Sequence, residues 1–400
     1  MIALYIAPLY LVLLIFELIR QIKYFKRHPQ SKVIKTTLLV IVLIVFSLSI
    51  PIAYFLPVGT AKTIITKFSN YWLGVSLYLF IGVLILDLLH LIYRLISKKK
   101  YNEVVAYNVT NIIVIIFALT MSIYGIYNAH NLHTTSYTVK TEKSSGVDSL
   151  NVCLIADLHL GYNVGTKEIT DMVNKINKIN PDIVVLTGDI FDNEYSAIDN
   201  PDRILELLNS IKTRYGKFAV YGNHDIEEKV LCGFSFSYKN PSEVSASQEM
   251  NDFIKNAGFT LLYDNGISIN DENGKFITYI YGRPDAKKFN LGNSERIAAK
   301  DISKGYDHDK YFICLDHQPG ELKELQEAGV DLDLSGHTHK GQMWPGTISI
   351  NWFWDNAYGM LNLDNMTSIV TSGVGLFGPN MRIDSIAEIV QISILFNNEN

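Results

Sequence analysis

Five short apolar runs in this 400-residue chain each stop at a carboxylate, an amide or an imidazole. Val152-Cys-Leu-Ile-Ala runs into Asp157-Leu-His159, and Ile183-Val-Val-Leu-Thr into Gly188-Asp189. Phe218-Ala-Val-Tyr runs into Gly222-Asn223-His224-Asp225, Tyr311-Phe-Ile-Cys-Leu into Asp316-His317, and Asp331-Leu-Asp-Leu-Ser into Gly336-His337-Thr-His339. Taken singly, such an ending is a turn residue or a helix cap. Five drawn from the Asp/Asn/His set make a metal site. Carboxylate and imidazole without a thiolate suit Mn²⁺, Fe or Zn²⁺ rather than an iron–sulfur centre.

The elements that must position these residues follow from the same runs. A continuous β-branched run reads as a strand buried on both faces, with its polar residues at the C-terminal mouth of a sheet. Helical patterns alternate with the runs. Thr166–Asn180 carries Ile169, Val173 and Ile176 on one face and breaks before Pro181. Pro201–Arg214 has proline near its start, and Val244–Asn256 and Gly320–Ala328 follow the same pattern. Short strands are expected around Thr260–Tyr263, Gly266–Ile269 and Phe276–Tyr281, with Ser136–Thr141 as an edge strand and the tail from Ser349 to Ile394 mostly strand. Two packed sheets flanked by helices satisfy this order.

The blocks D-x-H, G-D, G-N-H-D, a lone H and G-H-x-H, all between Asp157 and His339, resemble the calcineurin-like metallophosphoesterase family, in its bacterial membrane-anchored branch. The resemblance covers the chain from about residue 135 to its end. It implies an α/β (α+β) four-layer sandwich of two mixed β-sheets flanked by helices. It also implies two divalent metal ions, Mn, Fe or Zn. Asp157, His159 and His339 would hold the first, Asn223, His317 and His337 the second, and Asp189 would bridge both. Two cations about 3.5–4 Å apart repel, so an anion must sit between them, and a metal-bridged hydroxide is a nucleophile at neutral pH. In-line attack on phosphorus then proceeds while the cations neutralise the phosphoryl oxygens. His224 matches the family residue that protonates the leaving group or stabilises the transition state. Asp192 matches the carboxylate that orients this histidine, with Asp225 as the alternative. The chain departs from the branch at Lys340, where glycine commonly follows the last block. Lys340 and Arg382 are candidate substrate-binding cations, each with an ordinary surface role as the alternative.

Residues 1–130 have a different composition. They hold three acids against twelve Lys and Arg, a net of +9, leaving 37 acids and 23 bases, a net of −14, for the remainder. With 48% hydrophobic residues and a mean hydropathy of +0.13, the chain reads as a membrane part joined to a globular part. Ile2–Ile19, Thr36–Leu56, Tyr71–Ile92 and Val104–Tyr127 each approach the roughly 20 apolar residues that a span requires. The expected domains are a bundle of four transmembrane helices at 1–130 and a phosphoesterase domain at 131–400. Arg20, Lys23, Lys26, Arg27, Lys32 and Lys35 fill the first loop, and Arg94, Lys98, Lys99 and Lys100 the third. The positive-inside rule puts both in the cytoplasm and the catalytic domain outside it. Asp87, His90 and Arg94 share a helical face and are expected to pair with each other. Asn108, Thr110 and Asn111 are expected to join helices.

The expected partner is a phosphate ester, a lipid-linked one among the candidates, and no nucleic acid. A phosphodiesterase or pyrophosphatase acting on a lipid headgroup or envelope precursor is the first reading. A phosphomonoesterase for nucleotides or phosphoproteins is the alternative. A non-catalytic metal-binding module of a membrane sensor is the alternative of another class. Met343, Trp344, Trp352, Phe353, Trp354 and Tyr358 cluster after the last block, as packing or as an interfacial contact. Gly373-Val-Gly-Leu-Phe-Gly378 spells a dinucleotide fingerprint, but Pro379 follows at once and no helix does, so these are turn glycines. Cys153 and Cys314 read as buried small hydrophobes, and Cys232 lies in a loop.

Overall fold

The computed structural model describes residues 3–27, 33–97, 102–231, 234–235, 245–286, 288 and 296–398. Lys32, Lys98, Lys99, Lys100 and Cys232 lie outside them. The chain divides into two compact units. One is Met1–Tyr127 with Lys229–Phe236 and Gly378–Met381, and the other is Asn128–Glu228, Ser237–Phe377 and Arg382–Asn400.

The first unit is built on four helices, α1 (Ala3–Arg27), α2 (Val33–Phe55), α3 (Thr60–Ser97) and α4 (Glu103–Ala129). Against four expected spans, two helices among the described residues, Thr60–Ser97 and Val105–Ala129, are long and apolar enough to cross a membrane. The described apolar part of α2, Val40–Phe55, is shorter, and α1 carries Glu17, Arg20 and Gln21 in its second half. Asp87 accepts two hydrogen bonds from Arg20, at 3.0 and 3.3 Å, so it has a partner on another helix. Arg20 also donates to Asn111 Oδ1 at 3.0 Å, which joins α1 to α4. Thr110 donates within its own helix, to the carbonyl of Ala106.

The second unit begins with β1 (Leu132–Lys140), β2 (Ser149–Ile155), α5 (Thr166–Ile179), β3 (Ile183–Thr187), α6 (Pro201–Asn209) and β4 (Gly216–Val220). Two-residue strands β5 (Val230–Leu231) and β6 (Phe234–Ser235) pair with each other in the first unit. The second unit resumes with α7 (Gln248–Asn256), β7 (Thr260–Leu261), β8 (Asn265–Asn270), β9 (Phe276–Gly282) and β10 (Phe312–Leu315). It finishes with α8 (Leu322–Glu327), β11 (Leu332–Ser335), α9 (Gly346–Ser349), β12 (Gly359–Leu363), β13 (Met366–Val370) and β14 (Ala387–Leu395). The tail is therefore less strand-rich than its apolar content predicts. Residues 346–352 are short helical turns and 371–386 run as a loop before the last strand.

Two six-stranded mixed sheets result, β1-β14-β2-β3-β4-β7 and β12-β13-β11-β10-β9-β8. In the first, β14 runs antiparallel to β2 and every other pair is parallel. In the second, the outer strands β12 and β8 are antiparallel to their neighbours and the four central strands are parallel. Val152, Leu154, Ile183, Val185 and Phe218 of one sheet share a core with Ile280, Ile313, Leu315, Leu332 and Leu334 of the other. The outer face of the first sheet packs on α5, α6 and α7, and that of the second on α8. The layers are thus helix, sheet, sheet, helix. Helix α5 shows the local logic: Ile169, Met172, Val173 and Ile176 face the core, and Asn180 ends the helix in the left-handed conformation (φ 52°) just before Pro181.

Candidate metal centre

The parallel strands of both sheets end on the same side of the sandwich. Backbone geometry there is unusual. Asp157, His159, Asp189, His337 and His339 all have φ between 47° and 70°, a region that costs a non-glycine residue about 1–3 kcal/mol and persists only where the surroundings over-determine it. The sharp turn after each strand aims the side chain back over the strand ends. Glycine is required beside these turns. At Gly188 (φ 84°) a Cβ would lie 2.6 Å from His317 Nδ1, and at Gly222 it would lie 2.3 Å from Asp189 Oδ1.

Among the described residues three groups of donor atoms form, each with its ligand atoms within 4.8 Å of one another: Asp157–His159–His339, Asp189–His317–His337, and His159–Asp192–His224, which shares His159 with the first. In the first, Nε2 of His159 and Nε2 of His339 face each other at 3.1 Å. In the second, His337 Nδ1 faces His317 Nε2, also at 3.1 Å. Asp189 Oδ2 lies between these two clusters, 3.1 Å from His317 Nε2 and 3.8 Å from His159 Nε2. Asn223 Oδ1 is buried and has no hydrogen-bond partner among the described residues. Facing ring nitrogens and an orphaned amide oxygen are poor packing but good ligand geometry, so these residues fit two cations. The remaining atoms of the ligands are held in place. His317 Nδ1 pairs with the carbonyl of Thr187 at 2.9 Å, and both oxygens of Asp157 accept from the His337 backbone N–H.

Electrostatics agree with a site built for positive charge. Burial alone would raise the Asp189 carboxyl, but the imidazoles of His317, His224 and His159 hold it well below the usual carboxylate range. Burial together with the nearby Asp189 charge lifts Asp157 to about 6 against the opposing pull of His317. His339 is pushed well below the ordinary imidazole value by burial, by His159 and by the Arg382 guanidinium.

His224 is buried, and its backbone N–H donates to Asp189 Oδ1 at 2.8 Å. Its Nδ1 pairs with Asn193 Oδ1. Asp192, the expected orienting residue, stands beside this ring as well, since ligand atoms of His159, Asp192 and His224 lie within 4.8 Å of one another. Asp192 lies 3.7 Å from His159 Nδ1, and Asp225 accepts from the backbone N–H groups of Ile190, Phe191 and Gly222, tying two strand-end turns together. Asn193, with φ 64°, is turned so that its amide reaches His224. Phe377, also unforeseen, packs edge-on against the His224 ring with centroids 5.2 Å apart. Burial lowers the His224 pKa below the ordinary imidazole value.

The two candidate substrate cations have other partners. Arg382 is fully buried, and its guanidinium donates to the carbonyls of Ser372, Gly373, Gly375 and Ile386 and to Ser385 Oγ. Its Nη2 also lies 3.3 Å from His339 Nδ1. A fully buried guanidinium committed to backbone cannot clamp a substrate; it braces the 372–386 loop beside His339 of the first cluster. Lys340 lies over the Tyr358 ring, 4.9 Å from its centroid. Gly373, a turn glycine as expected (φ 76°), packs against Asp157. In the aromatic cluster Met343 is buried, Trp352 and Phe353 are 77% and 73% exposed, and Trp354 stands edge-on to His337 at 5.4 Å. Cys153 and Cys314 are free and buried.

Comparison with known proteins agrees with this geometry. Residues 150–341 match the calcineurin-like phosphoesterase family. An uncharacterised metallophosphoesterase of Aquifex aeolicus is 29% identical over 280 residues, which cover 69% of this chain and 97% of that protein. A transmembrane protein with a metallophosphoesterase domain from Danio rerio is 26% identical, over 80% of this chain and 71% of its own. An uncharacterised metallophosphoesterase of Campylobacter jejuni is also 26% identical, over 79% of this chain and 78% of its own. Residues 150–341 are a calcineurin-like phosphoesterase domain, that of a metal-dependent hydrolase whose family uses a dinuclear divalent centre.

Proposed function

We propose that this domain hydrolyses a phosphodiester or pyrophosphate bond in a lipid headgroup or cell-envelope precursor. Asp157, His159 and His339 would hold one metal, Asn223, His317 and His337 the other, and Asp189 both. The observation that carries the reading is the Asp189 carboxylate between two imidazole clusters, 3.1 and 3.8 Å from their nearest nitrogens. When bound, the metal pair supplies charge neutralisation at the phosphoryl oxygens and a water-derived nucleophile. His224 holds no metal in this scheme, because Asn223 supplies the ligand of that block. Braced by Asn193, it moves a proton to the leaving oxygen.

The lipid assignment is supported by Trp352 and Phe353, large apolar side chains left exposed just before Trp354, whose ring stands edge-on to His337. We propose further that all four N-terminal helices span the membrane, placing the domain outside the cytoplasm, in the membrane-anchored branch of the family. Protease added to intact spheroplasts should then remove the domain, and full protection would reverse the orientation.

The chemistry is tested at His224. His224→Ala should retain two metals by elemental analysis and lose about 10²–10⁴-fold in kcat. The loss should shrink with nitrophenyl esters, whose leaving group scarcely needs a proton. Equal loss with good and poor leaving groups would show that His224 acts on phosphoryl charge instead. Unchanged turnover at an unchanged metal content would remove it from catalysis. A panel of lipid-linked diesters, pyrophosphates and monoesters with Mn²⁺ resolves the substrate class.

A further inference from the structure

The helical unit contains a partly open cavity of about 460 Å³, within the range of about 300–1,000 Å³ typical of small-molecule sites. Leu43, Phe46, Trp72, Val83, Val114 and Ala118 are among its lining residues, together with Glu17. Most polar atoms at its wall are already paired. Tyr10, Ser47 and Trp72 hydrogen-bond one another, Ser76 donates to the carbonyl of Leu73, and Asn111 Oδ1 accepts from Arg20. Glu17 is the exception. The residue is 8% exposed, and Oε1 accepts from Gln21 and Arg20. Its Oε2 is buried and has no hydrogen-bond partner among the described residues.

A buried acceptor left without a partner costs about 1–3 kcal/mol, more when charged. Water is a poor remedy here, since an ordered buried water needs two to four polar partners and the wall offers little beyond Glu17. Hydrocarbon fills an apolar volume of this kind, and a donor at one end of it would satisfy Oε2. Arg20 already lies 3.5 Å from the same carboxylate, so a neutral hydroxyl completes the site without placing a second cation beside the first.

We propose that the helical unit binds a single-chain lipid with a hydroxyl head, its chain in the cavity and its hydroxyl donating to Glu17. The site is separate from the phosphoesterase centre and rests only on the membrane-embedded reading of the helices, not on the substrate or the orientation.

The test uses the full chain in nanodiscs and a monoacylglycerol carrying a photoreactive group in its acyl chain. A fatty-acid methyl ester with the same photoreactive chain, which lacks the donor, is the comparison. Mass spectrometry should map the monoacylglycerol label to cavity residues such as Leu79 and Val114. Ala118→Phe, which fills the cavity, should reduce that label to background. Glu17→Leu leaves Arg20 its bonds to Asp87 and Asn111, and it should bring monoacylglycerol labelling down to the level of the methyl ester. The parent's helical circular dichroism and a single monodisperse peak on gel filtration confirm that each variant's helical unit is folded. If Ala118→Phe fails that check, Val114→Phe fills the same space. If neither folds, the label map of the parent chain decides. Label spread over the outward-facing Ile112 and Ile116 and indifferent to these substitutions would overturn the proposal. Equal labelling by the two probes would overturn the role of Glu17. The protease experiment on orientation can fail without affecting either result.

Discussion

The first sheet presents Asp157, His159, Asp189 and Asn223 to the metal centre, whereas the second presents His317, His337 and His339 alone. One side thus carries the anions and the other supplies neutral or cationic rings. Two of the clusters draw on both sheets: Asp157 and His159 need His339 from the second sheet, and His317 and His337 need Asp189 from the first. The division teaches that the centre also joins the sheets. Asp157 accepts from the backbone of His337, and His317 bonds the carbonyl of Thr187, so each sheet orients the other's ligands.

If the anionic side is indispensable, its loss should have the largest effect. Asp189→Ala is expected to abolish turnover and lower bound metal below two per chain, because its carboxylate lies between the two clusters. Two retained metals with near-normal turnover would break the comparison. A smaller effect should follow from pushing the sheets apart while every ligand stays in place. Gly222→Ala inserts a Cβ 2.3 Å from Asp189 Oδ1 and 2.8 Å from His317 Cε1. Overpacking of this kind costs about 1–3 kcal/mol, so both melting temperature and metal content should fall. An unchanged melting curve would mean that the two sets of strand ends are not mutually constrained.

The smallest expected effect concerns the second sheet alone. Asp333 on β11 is fully buried, and burial with the nearby Asp316 charge raises its carboxyl to about 7. Between about pH 4 and 7 the folded chain therefore holds a proton that the unfolded chain has released, and stability falls as pH rises through that window. Asp333→Asn removes this dependence. Its melting temperature should gain on the parent's as pH rises from 5 to 8, and a gap that does not change with pH would show that Asp333 is not protonated in the fold.

Ligand identity was legible in the chain because a parallel strand is a local signal. An apolar run buried on both faces ends at a sheet mouth, and whatever polar residue follows it, Asp157 or His337 alike, is delivered to the same edge. The helical unit was legible from hydropathy for a similar reason, although among the described residues two helices rather than four reach spanning length and apolarity. The pairing of Asn193 with His224 Nδ1 was not legible, since neighbouring residues point in different directions and a single turn with φ 64° aims its amide. Nor was the burial of Arg382, whose guanidinium is enclosed by carbonyls from residues 372–386 that only the folded loop assembles. Composition and strand pattern are properties of short segments and survive without the fold. Side-chain direction at a turn, and what a long side chain meets, depend on atoms far away in sequence and exist only once the two sheets have packed.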